Sequence, residues 1–114
     1  MSQKEMLKGN TDTLLLSIIA REPMHGYGIV REIENRSHGY FQFKEGTLYP
    51  ALHRLEAAGL IHGDWGEGAN HASRRYYAIT AKGRRVLEQR FQEWRRFADA
   101  VNMVMPALES QPAS

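Results

Sequence analysis

The sequence predicts a mainly α fold of the α+β class: three short helices, a two-stranded hairpin and one long terminal helix. Three patterns carry that prediction. Apolar residues recur at helical spacing in four separate stretches. A glycine-rich polar segment divides two strand-like runs, and a seam of alternating three- and four-residue steps occupies the last stretch.

The first helix carries Leu7, Leu14, Leu15, Ile18 and Ile19 on one face, with Asn10 or Thr11 as its cap and Pro23 as its stop. Met24-His25-Gly26-Tyr27-Gly28 then reads as a glycine-rich turn, with His25 as a helix-start residue. Ile29, Val30 and Ile33 mark a second helix that fails at residues 37–39. Phe41-Gln42-Phe43 alternates like a strand but is too short to stand alone. In the third helix, residues 47–58, Leu48, Leu52 and Leu55 fall at i, i+4 and i+7, and Gly59 supplies a left-handed stop after Ala58. Pro50 lacks an amide hydrogen and belongs in a first turn, so this helix is expected to begin near Gly46 or Thr47.

Residues 60–65 and 73–79 are strand-like, and residues 66–72 between them form the long tip of a hairpin. Thr80 caps the last helix. Its Leu87, Phe91, Trp94, Ala98, Val101 and Met105 are spaced 4, 3, 4, 3, 4 before Pro106 ends it. From Thr80 to Met105 this helix would be roughly 39 Å long, more than a small core covers. A second copy of the chain is its simplest cover, so a homodimer joined along this seam is expected; packing on helix one of the same chain is the alternative. The expected division is a winged domain at 1–79, a dimerisation helix at 80–106 and a disordered tail at 107–114.

With 114 residues, 42% hydrophobic and 25% charged, the chain has the composition of one soluble domain that needs no disulfide or structural metal. The absence of cysteine excludes disulfide scaffolds, thiolate zinc sites, iron–sulfur clusters and cysteine nucleophiles. Residues 14–20, the longest apolar stretch, fall far short of the ~20 residues of a membrane span, and residues 1–8 lead into no signal-type segment. A cytoplasmic protein without membrane contact is expected. Ser17, Ser37 and Ser73 sit in no nucleophile motif. The histidines show no metal-ligand pair at helix spacing, and His62 with His71 is a weak ligand set. No enzyme activity, metal or cofactor is expected.

Three helices followed by a two-stranded wing is the order of a winged helix-turn-helix, whose third helix enters the DNA major groove. With the leucines inward, Thr47, Tyr49, Pro50, His53 and Arg54 are left to face bases and phosphates. Arg74 and Arg75 open the return strand, where guanidinium groups neutralise phosphates or pair with Asp64 or Glu67 across the hairpin. Charge is asymmetric: residues 74–96 carry eight Lys or Arg against Glu88 and Glu93, within a chain of net charge +2. Both a polyanion-binding surface and a plain solvated face fit that count. A winged-helix module that binds a protein instead of DNA is the alternative function, and it calls for an apolar outer face on the third helix.

Three strings, Met24-His25-Gly26-Tyr27-Gly28-Ile29, residues 45–61 (EGTLYPALHRLEAAGLI) and residues 74–83 (RRYYAITAKG), resemble PadR-type transcriptional regulators over about residues 5–105. The resemblance implies a homodimeric repressor on an inverted-repeat, double-stranded DNA operator, released by a small effector. It adds Tyr27 to the DNA-binding set. The short C-terminal helix is similar to the compact branch of that family, which holds multidrug sensors. That likeness makes Trp94 either a plain dimer-core aromatic or a platform for a small aromatic effector, with Met6, Gly9, Asp12 and Phe97 around it.

Overall fold

A computed structural model describes residues 9–65 and 74–105. Expectations about Met6, Leu7, the hairpin tip with His71 and Glu67, Ser73, Pro106 and the tail lie outside the described residues. The described elements are α1 (Thr11–Ile19), β1 (Met24–His25), α2 (Gly26–Arg36), α3 (Glu45–Ala57), β2 (Ile61–Trp65), β3 (Arg75–Ile79) and α4 (Ala81–Val104). Together they form a winged helix-turn-helix that continues into a long C-terminal helix.

The wing carries a third strand. β1 pairs antiparallel with β3, setting Met24 opposite Tyr77 and His25 opposite Tyr76, and the strand order is β1-β3-β2. Two residues are too few to show alternation, so the sequence reads them as a turn. They are extended because β3 would otherwise leave a row of unpaired backbone groups on that edge. β2 and β3 pair from Ile61 opposite Ile79 to Trp65 opposite Arg75. Residues 41–43 are irregular; Phe43 is buried and Phe41 packs against the core.

α3 begins at Glu45, which puts Pro50 at its sixth residue and not in its first turn. The carbonyl of Gly46 therefore lacks its i+4 amide partner, and Gly46 and Pro50 are both exposed, open to solvent. Burial of Leu48, Ala51, Leu52 and Leu55 holds the helix through that gap.

The centre of the core is Leu15, Leu16, Ile19, Ile29, Leu52 and Leu55. Val86 and Leu87 of α4 pack against it, so the first turns of the long helix belong to the winged domain's packing. The exit from α3 welds the two helices together. Gly59 adopts φ +76, allowing the Leu60 amide to reach the Leu55 carbonyl and the Gly59 amide to reach that of Glu56. Thr80 accepts from the Gly83 amide, capping α4, and donates its hydroxyl back to the Gly59 carbonyl at 2.7 Å. Lys82 Nζ donates to the Ala58 carbonyl at 2.9 Å, a cation at the negative end of α3.

Gly83 is the tight point of this joint, because a Cβ there would collide with the Leu60 carbonyl and the Ile79 side chain. Gly83→Ala is expected to lower the stability to urea by roughly 1–3 kcal/mol through backbone displacement, despite the higher helix propensity of alanine. An unfolding midpoint equal to or above that of the parent would contradict this account of the joint.

Candidate nucleic-acid interface

The inward leucines of α3 leave Thr47, Tyr49, Pro50 and His53 exposed on the rest of its surface. The fifth expected residue, Arg54, is also exposed but engaged within the chain. Its Nη2 and Nε donate to the Asp12 carboxylate of α1 at 2.8 and 3.3 Å. That bond, with Asp12's charge, raises the Arg54 pKa further. The Arg54 side chain is 58% exposed, so solvent screens the pair and its contribution to stability is roughly 0–1 kcal/mol.

The two wing arginines divide. Arg75 pairs with Glu56 of α3, whose Oε2 also accepts from the Gly63 amide at 3.3 Å. Asp64 instead faces His62 at 3.0 Å, and the expectation for Glu67 lies outside the described residues. The Arg75 guanidinium lies between the rings of Trp65 and Tyr77, 5.8 and 6.0 Å from their centroids, and fills the space a Cβ at Gly63 would need. Burial raises the Tyr77 phenol pKa, with the charge of Arg75 opposing the rise. Arg75 thus acts as a strut between the wing and α3, while Arg74 stays at the surface.

Arg74 belongs to a groove lined by His25, Tyr27, Arg31 and Tyr76, among others. The Arg31 guanidinium sits 5.7 Å from the Tyr27 ring centroid, the Tyr27 and His25 rings are parallel, and Tyr76 meets His25 edge-on at 5.4 Å. Arg31 and Tyr76 are surface residues that sequence reasoning missed. Arg31 was legible as the i+4 neighbour of Tyr27 on a helix; Tyr76 needed the β1–β3 pairing. The same groove is lined by Glu22 and by Glu32, the latter paired with Arg36, so its phosphate-binding side is the one where Arg74, Tyr27 and Tyr76 stand.

His25 caps α2, its Nδ1 accepting from the Gly28 amide at 3.0 Å, while Arg74 Nη1 lies 3.1 Å from Nε2. The ring can accept at Nδ1 only with its proton on Nε2, and at Nε2 only with its proton on Nδ1. Imidazolium accepts at neither. Partial burial, and then the nearby charge of Arg74, lower the His25 pKa from its ordinary 6.5.

On α4, Trp94 and Phe97 are 53% and 61% exposed, with ring centroids 5.8 Å apart. Phe91 and Met105 are exposed too, and Ala98 and Val101 are half-buried. Leu87, expected on the same seam, is half-buried where it packs against the chain's own core. Asp12, expected beside Trp94, is held by Arg54, and Gly9 is exposed with φ +86.

The lowered His25 pKa means that the unfolded chain takes up this proton more readily than the folded one. The cap's contribution is therefore complete above about pH 6.5 and is lost as pH falls through the lowered folded value. Thermal melts from pH 8 to pH 5 are expected to show a loss of stability at the acid end that His25→Asn, which caps without titrating, makes smaller. Parallel profiles for the two proteins would contradict this role.

The family model for the PadR-like transcriptional regulators matches residues 15–89. The chain is 33% identical over 109 residues to an uncharacterised Lysinibacillus sphaericus protein, covering 96% of this chain and 100% of that relative. Its fold is similar to that of a transcriptional regulator from Clostridium thermocellum, with a TM-score of 0.80, 32% identity and coverage of 89% and 98% of the two chains. A PadR-like transcriptional regulator from Bacillus cereus is similar at a TM-score of 0.78, with 33% identity and coverage of 90% and 98%. With more than half its length matched by the family model, this chain belongs to the PadR-like family of transcriptional regulators.

Proposed function

We propose that the chain is a transcriptional repressor that binds an inverted-repeat operator as a homodimer in the cytoplasm, with no enzyme activity of its own. The observation that carries this reading is the pairing of an exposed, polar third helix with a wing braced against it through Glu56 and Arg75. Thr47, Tyr49, Pro50 and His53 face the bases, with Pro50 offering its ring to a thymine methyl. Tyr27 and Arg74 hold phosphates on one flank, and Arg75 acts chiefly by fixing the wing. Arg54 joins the DNA contacts only if Asp12 gives it up. The polar character of the α3 face also disfavours the alternative of a module that docks a protein there.

Residues 80–106 serve as the dimerisation helix. Phe91, Trp94, Ala98, Val101 and Met105 form the seam between copies, since an apolar strip of this size calls for a cover. The single helix α4 that follows the wing supports a likeness to the compact, multidrug-sensing branch. In that setting Trp94 and Phe97 give a planar aromatic effector a stacking surface between protomers. Among the described residues no helix is long and apolar enough to cross a membrane.

Fluorescence anisotropy on DNA from upstream of the chain's own coding region, against shuffled DNA of equal length, tests the reading. Own-promoter preference that survives moderate salt is expected. Arg74→Ala should weaken binding to both duplexes and lower the slope of log K against log salt by about 1 per protomer. Equal, steeply salt-dependent binding to both duplexes would overturn sequence-specific repression, and an unchanged Arg74→Ala would remove Arg74 from the interface.

A further inference from the structure

Asp12 and Arg54 lie 42 residues apart, yet the guanidinium presents two of its nitrogens to the one carboxylate. A guanidinium on a recognition helix is the group best suited to a phosphate or to the N7/O6 edge of a guanine. Here its bidentate edge is filled from within the chain, by the first turn of α1. The next residue of that turn, Thr13, accepts from Arg90 of α4 at 3.3 Å. Two consecutive residues of α1 thus hold one cation from the recognition helix and one from the long terminal helix.

We propose that Asp12 is an intramolecular competitor for operator phosphate: it latches Arg54 in the free protein. The proposal rests on the reading of α3 as the helix that meets DNA. A solvent-screened pair suits the task, because it is weak enough for a phosphate to displace and so sets a threshold for binding.

The test is a mutant cycle on the full chain, with Asp12→Asn, Arg54→Gln and the double variant titrated with own-promoter and shuffled duplexes across a salt series. Asp12→Asn is expected to tighten binding about 3- to 10-fold at low salt with little change in the salt slope, because Arg54 neutralises the same phosphate in both complexes and only the cost of releasing it is removed. In the Arg54→Gln background the same change should do nothing. Asp12→Ser, which also suits a first helical turn, serves if the asparagine variant melts early. Parental or weaker affinity in a folded Asp12 variant overturns the proposal. So does an equal gain without Arg54, which would reflect only the removal of a negative charge near DNA. If neither the parent nor the Asp12 variants bind any duplex, the latch and the DNA-binding role fall together. Binding by the parent with no response to Asp12 removes the latch alone.

Discussion

The ion pair between Glu56 and Arg75 is the contact on which the geometry of the DNA-facing surface depends. One carboxylate on α3 takes the guanidinium of β3 and the backbone amide of Gly63 in β2. Both wing strands are therefore referenced to the recognition helix through a single side chain. Gly63 is part of the device, because any Cβ there would displace the guanidinium, and Trp65 and Tyr77 close over its faces. Elsewhere the hairpin is held by Ile61, Tyr77 and Ile79 at the core and by the pairing of β3 with β1, so this ion pair is the side-chain link that ties it to the recognition helix.

A second constraint joins that surface to α4. The carbonyls that end α3 are taken by Thr80 and Lys82, and Gly83 lets the first turn of α4 close onto Leu60. Val86 and Leu87 then pack into the same core as Leu52 and Leu55. The start of the long helix and the end of the recognition helix are thus joined as one body, so in the proposed homodimer the angle at which two copies cross along α4 would set the separation of their third helices. Beyond Leu87 the aromatic strip lies open, which gives that angle an apolar surface on which to be set.

Much of this was legible in the sequence because it rests on local rules. Leucine spacing placed α3, the Gly59 stop fell where a left-handed residue was needed, and Thr80 caps α4 as its type and position suggest. What was hidden depends on partners distant in the chain. β1 exists only because β3 has an edge to fill, and Pro50 sits deeper in α3 than its own preference allows because four buried side chains outweigh one lost backbone bond. Pairing of Arg75 with Glu56 and of Arg54 with Asp12 divided a set of cations that looked equivalent as a string of letters. Periodicity alone could not show that Leu87 packs partly against the chain's own core, since a helix that changes neighbours part-way along keeps its spacing.

Hydroxyl-radical footprinting of the protein on its own upstream region tests the central claim most directly. Two symmetry-related recognition helices predict two protected half-sites, centred about 34 Å or a multiple of that apart along one face of the duplex. A single short footprint would contradict the dimeric reading, and uniform protection would contradict recognition of an operator.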